Sequence, residues 1–109
     1  MMELTDSNAE VIAERFGALA EPMRLRLLNA LRRGEKSVGD LAEESGASPA
    51  NASKHLQLLL QQGFIERRKE GTTIWYSVAD PAVFELCSLI TAGIDKVLER
   101  RRKQLRRRD

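Results

Sequence analysis

The chain predicts a mainly α fold carrying one small β-hairpin, and three observations predict it. Apolar residues recur at helical spacing along most of residues 8–98. Residues 37–64, SVGDLAEESGASPANASKHLQLLLQQGF, read as two helices around a short turn at Gly46-Ala47-Ser48. A pair of helices so joined is a device for laying the second one in a DNA major groove. Finally, Phe64 to Lys69 and Thr73 to Val78 alternate with the period of strands about the turn Glu70-Gly71-Thr72, a basic hairpin where a wing would stand. The expected architecture is a winged helix-turn-helix of about five helices.

The elements follow in order. Val11, Ile12, Phe16, Leu19 and Ala20 form the stripe of a first helix over 8–20, which Ser7 or Asn8 can cap. Glu21-Pro22 ends it and starts a second, because proline disfavours helix in the residue before it and suits a first helical position. That helix runs to Arg33 with Leu25, Leu27, Leu28 and Leu31 inward, and Gly34 stops it. Ser37 caps a short third helix with Val38, Leu41 and Ala42 as its buried points. Ser48-Pro49 opens the fourth, whose inner stripe is Ala52, Leu56, Leu59 and Leu60, ending at Gly63. The hairpin must pack on the helices through Ile65, Ile74 and Tyr76, since two strands alone are marginal. Asp80 caps a last helix with the stripe Val83, Cys87, Ile90, Ile94, Val97 and a flanking set Phe84, Leu86, Leu89, Leu98.

That last helix has more apolar circumference than one small domain needs. The surplus predicts a dimer interface of Val83, Cys87, Ile90 and Ile94 with Val11, Ile12 and Phe16 of the first helix. At 109 residues the chain reads as a single domain, with 8–98 as its core and 99–109 as a basic helical extension or tail. Composition is that of a soluble protein, 42% hydrophobic and 31% charged, with no apolar run near the roughly 18 residues a bilayer requires. The polar, acidic start MMELTDSN has no signal region, so a cytoplasmic protein without a membrane partner is expected. One cysteine excludes an intrachain disulfide.

Charge is unevenly placed. Residues 1–98 carry 11 Lys/Arg and 14 Asp/Glu, a balance of −3, whereas 99–109 carry 7 basic and 2 acidic residues, a balance of +5. Positive charge in the body is local, at Lys54 and at Arg67-Arg68-Lys69. On a helical wheel Ala50, Ser53, Lys54 and Gln57 fall opposite the leucines of the fourth helix, with Asn51 beside them. Small and hydrogen-bonding groups outward are what a base-reading helix needs.

This order of elements resembles the ArsR-type winged-helix repressors. ALAEPMRLRLLNAL (18–31) is similar to that family's opening segment, SVGDLAEESGASPANASKHLQLLLQQGFI (37–65) to its motif helices, and RRKEGTTIWYSV (67–78) to its wing. The resemblance covers about residues 10–98. It implies a symmetric dimer joined through the first and last helices that binds an inverted repeat in double-stranded DNA. DNA contacts then fall to Ser48, Ala50, Asn51, Ser53, Lys54 and Gln57 on the reading helix and to Arg67, Arg68 and Lys69 on the wing.

One departure bears on control. Metal-sensing relatives place a cysteine pair in the third helix, or histidines and carboxylates on the last. Here the third helix lacks cysteine, the last lacks histidine, and His55 is alone in the chain. Soft and borderline metals want several such ligands, so no metal site and no cofactor are expected. Cys87 on the apolar stripe reads first as a packed thiol, with an intersubunit disulfide or adduct as the redox alternative. No nucleophile, base and acid converge, which excludes an enzyme. The expected function is a homodimeric repressor. A winged-helix module for protein contact is the alternative, though it would more naturally expose apolar anchors than Lys54 and the wing cations.

Overall fold

The computed structural model describes residues 3–107. Met1 and Met2 of the polar N-terminal stretch, and Arg108 and Asp109 of the basic tail, lie outside the described residues. Five helices form, α1 (Ala9–Leu19), α2 (Pro22–Leu31), α3 (Val38–Ser45), α4 (Pro49–Gln61) and α5 (Ala82–Arg107). With them stand three strands, β1 (Lys36–Ser37), β2 (Ile65–Glu70) and β3 (Thr73–Val78), in an antiparallel sheet of order β1-β3-β2. The winged helix-turn-helix expected from the sequence is thus present. No helix among the described residues is long and apolar enough to cross a membrane.

Side-chain caps define the helix starts. Glu21 Oε2 accepts the Arg24 N–H at 3.1 Å ahead of Pro22, Ser37 Oγ accepts Asp40 N–H at 3.2 Å, and Ser48 Oγ accepts Asn51 N–H at 3.1 Å. The first helix departs from expectation. Asn8 stands at its N-cap, but its Oδ1 turns back to accept Thr5 N–H at 2.8 Å and caps nothing in α1. Gly46, at φ 77°, ends α3 in the left-handed region, where Ala47 N–H donates to Ala42 O at 3.1 Å. At the wing tip the loop is only Gly71-Thr72, since Glu70 pairs with Thr73. Gly71 has φ 63° while Thr72, like every other described non-glycine residue, has negative φ, the pattern of a type II′ turn whose twist suits a hairpin.

The third strand was not legible. Ser37 was expected only as a cap, yet Lys36 and Ser37 also pair with Tyr76 and Trp75 of β3. Two residues carry no periodicity, and their pairing exists only because β3 is brought alongside by the fold.

The core is a leucine cluster. Leu27, Leu28 and Leu31 of α2, Leu41 of α3, and Leu56 and Leu59 of α4 are each at most 2% exposed, and Phe64, Ile65 and Tyr76 close it from the sheet side. Burying each such side chain stabilises the fold by roughly 1.5–3 kcal/mol before chain entropy is counted. Two placements differ from expectation. Leu25, expected inward, is 40% exposed and lines a groove between α2 and α5. Val83, expected between subunits, is 2% exposed within the protomer, because the turn at Asp80, which accepts Ala82 N–H at 3.2 Å, seats the first turn of α5 on the core. From Ser88 onward α5 leaves the body, and every described residue to Arg107 is exposed.

Leu56→Ala should lower the free energy of unfolding by about 2–5 kcal/mol in urea melts, because a cavity would open beneath α4. A loss within about 0.5 kcal/mol, the range of surface substitutions, would show that the leucine cluster is not the core.

Candidate nucleic-acid interface

The outward face of α4 is produced by the helix's own periodicity. Ala52, Leu56 and Leu59 are completely buried, and this turns Ala50, Asn51, Ser53, Lys54 and Gln57 outward, all of them exposed. Ser48 sits at the start of this face, its hydroxyl already accepting Asn51 N–H and left with a proton to donate. Leu58, at 38% exposure, borders the face. Lys54 has no carboxylate within ion-pair distance among the described residues. It is a free cation beside hydrogen-bonding groups.

Two polar contacts fix α4 against its neighbours. Arg24 donates from Nε to Ala18 O at 2.6 Å and from Nη2 to Gly17 O at 3.3 Å, covering the C-terminal carbonyls of α1. Its Nη1 lies 3.2 Å from His55 Nδ1. A guanidinium can only donate, so Nδ1 accepts and the imidazole proton resides on Nε2. The half-buried His55 is thereby a tie between α4 and the α1–α2 corner. Arg15 makes the second tie. It donates to Gln62 O at the end of α4 and pairs with Asp80 Oδ2 at 2.5 Å, and its guanidinium stacks 4.2 Å from the centroid of Phe64. His55 lies 31 residues from Arg24, and Gln62 and Asp80 lie 47 and 65 from Arg15, so neither tie was legible in the sequence.

The wing divides its three cations by strand alternation. Register pairs Arg67 with Tyr76, Arg68 with Trp75 and Lys69 with Ile74, so Arg68 faces oppositely to the other two. Arg68 is fully engaged. Nε and Nη2 donate to Glu35 at 2.8 and 2.7 Å, Nη1 donates to Glu70 at 2.6 Å, and the guanidinium lies 5.6 Å from the Trp75 ring centroid. Arg68, expected among the wing's DNA contacts, is thus already paired with two carboxylates and links the hairpin to the α2–β1 loop. The hydrogen bonds from Arg68 hold the Glu35 carboxyl below the usual carboxylate range and push the guanidinium pKa up. Glu35 was missed because its partner lies 33 residues away. Arg67 and Lys69 are exposed and have no ion-pair partner among the described residues.

The remaining candidates lie apart from this face. Val11, Phe16, Ile90 and Ile94 are 63, 50, 58 and 54% exposed, and Ile12 is half-buried beside them. Cys87 is a free, half-buried thiol in the groove that Leu25, Arg32 and Phe84 also line. Among the described residues no three His, Cys, Asp or Glu side chains converge in a way that could hold a metal ion.

Comparison with known proteins agrees with this geometry. Residues 21–67 match the family described as "Bacterial regulatory protein, arsR family". The chain is 37% identical over 87 residues to the "Probable mercury resistance operon repressor" of Streptomyces lividans, across 80% of this chain and 70% of that one. Its fold is similar to the crystal structure of Mycobacterium tuberculosis Rv0081, with a TM-score of 0.77 at 32% identity over 89% of this chain and 98% of the other. It is also similar to the homodimeric winged helix-turn-helix DNA-binding domain Mb0332 of Mycobacterium bovis, with a TM-score of 0.72 at 34% identity over 92% and 95% of the two chains.

Glu35→Gln should loosen the wing: backbone amides of residues 68–73 should exchange faster with solvent, while those of α4 stay unchanged. The wild type should show the same loosening only as pH falls below the ordinary carboxylate range, because a lowered pKa keeps the pair formed above it. Equal wing exchange in both proteins at neutral pH would remove Arg68 from this bracing role.

Proposed function

Because the chain belongs to the ArsR family of bacterial regulatory proteins, and is thus a DNA-binding transcriptional repressor rather than an enzyme, we propose how it acts. It binds an inverted repeat in double-stranded DNA as a homodimer. The exposed face of α4 enters the major groove, where Asn51, Lys54 and Gln57 reach base edges while Ser48 and Ser53 approach phosphates and Ala50 allows close approach. Arg67 and Lys69 grip flanking backbone from the wing, and Arg68 holds the wing at the angle that lets them do so. The observation that carries this reading is the α4 face itself, five exposed polar or small side chains held outward by three fully buried apolar ones.

The dimer reading is supported by Val11, Phe16, Ile90 and Ile94, each left at least half exposed among the described residues. Val83 leaves that set, since the protomer core already holds it. Control does not run through the family's familiar metal sites. The mercury-repressor relative is named for a thiophilic metal, whereas this chain has one thiol, and its one histidine commits Nδ1 to Arg24. Cys87 packs as a small apolar group on α5.

Affinity for duplex DNA should fall steeply with salt, as phosphate-bound cations are released when DNA binds. Arg67→Ala with Lys69→Ala should lower the slope of log affinity against log salt by about 2 per wing pair in each protomer, without changing which sequence is preferred. Micromolar zinc, cadmium or arsenite should leave the wild-type binding curve in place. An unchanged slope would remove the wing from DNA, and release by any of these metals would overturn the metal-free reading.

A further inference from the structure

Resting on the homodimer proposed above, we infer that the basic end of α5 is a clasp that docks on the acidic α1 end of a second copy of this chain. Residues 1–14 contain four acids, Glu3, Asp6, Glu10 and Glu14, and no base. Residues 100–107 contain six bases and no acid. All ten charged side chains are exposed, and none is ion-paired among the described residues. The protomer thus carries two unpaired charge clusters of opposite sign, one on the last two turns of α5 and one running from the segment before α1 (Glu3, Asp6) into α1 itself (Glu10, Glu14).

An apolar seam leads from the body to the basic end. Ile90, Ile94, Val97, Leu98 and Leu105 recur at spacings of one side of α5 and are 58, 54, 45, 44 and 64% exposed. The seam is continuous with the proposed dimer surface. Nothing among the described residues covers the helix beyond it, where every described side chain is exposed. Arg102 and Arg106, and Lys103 and Arg107, are like-charge neighbours at i,i+4, which destabilises an isolated turn. The helix C-terminus favours cations only weakly.

Charge also selects how two α5 helices pair. Parallel pairing would set the two basic ends side by side. Antiparallel pairing about the middle of Ala82–Arg107 sets Arg107 level with the partner's first α5 turn. In each protomer that turn adjoins α1: Ile12 and Phe16 stand with Val83 and Leu86 around an apolar hollow of about 270 Å³. The basic end of one α5 therefore reaches the level where Glu10, Glu14 and the exposed Glu85 of the partner subunit stand. Six cations over some 12 Å of helix meet them there, and desolvation along the seam strengthens a network that isolated surface pairs would not.

The test is the dimer dissociation constant, measured by sedimentation at low and high salt, for the full chain and three variants. The full chain should weaken on the order of tenfold from low to high salt, whereas a chain ending at Leu98 should be weaker at low salt and nearly indifferent to it. Glu10→Lys with Glu14→Lys should weaken the dimer as truncation does. Adding Arg100→Glu and Lys103→Glu to that variant should restore it, which a merely unfolded variant would not do. A truncated dimer of unchanged strength and salt response, or a failed restoration, would overturn the clasp while leaving the dimer intact. A truncation that leaves the dimer alone but lowers the salt slope of DNA binding would likewise overturn it, assigning the basic end to DNA. A full chain that is monomeric throughout would overturn both the clasp and the dimer reading.

Discussion

The leucine cluster beneath α4 is the constraint from which the remaining geometry follows. Ala52, Leu56 and Leu59 sit at three- and four-residue spacing and are wholly withdrawn from water. A helix has one orientation that buries such a stripe, so the direction of Asn51, Lys54 and Gln57 is decided by residues on the far side of α4. Ala52 matters for a different reason than the leucines: a small side chain there lets α4 approach its neighbours closely. The polar ties at either end, Arg24 to His55 and Arg15 to Gln62, then hold what apolar packing leaves freer, the slide of α4 along its own axis.

Electrostatics does a separate job from packing in this chain. The body is mildly acidic, and on α4 and the wing the cations without an ion-pair partner among the described residues are Lys54, Arg67 and Lys69. Arg68 stands in the middle of the same basic run yet spends its donors on Glu35 and Glu70. One residue of the run is thus tied to carboxylates while its neighbours on the strand have no ion-pair partner among the described residues. A two-residue turn makes the hairpin stiff, and the Arg68 brace joins it to the loop that follows α2.

Much of this was legible because it is local. Helical periodicity, Pro22 and Pro49 at first helical positions, Ser37 and Ser48 as caps, and Gly46 and Gly71 at turns all act within a few residues, and each reads directly from the chain. What was missed depends on contacts across the fold. β1 is too short to show a period, Glu35 and Arg15 find partners far along the chain, and Val83 shares its stripe with Ile90 and Ile94. On a helical wheel these three are equivalent. Only the turn at Asp80, which seats the first α5 turn on the core and lets the remainder project, separates a buried position from exposed ones. Arg68 teaches the same lesson for charge, since composition counts cations and cannot see which are already paired.

In the proposed complex α4 reads sequence and the wing only holds backbone. The most direct measurement of this division is base preference, determined by selecting bound duplexes from a randomised library with the wild type, Asn51→Ala, Lys54→Ala and Arg67→Ala. Each α4 substitution should relax discrimination by about 1–3 kcal/mol at a few base pairs in both half-sites, while Arg67→Ala should weaken all sequences alike. Base preference that survives both α4 substitutions but shifts with Arg67→Ala would contradict it.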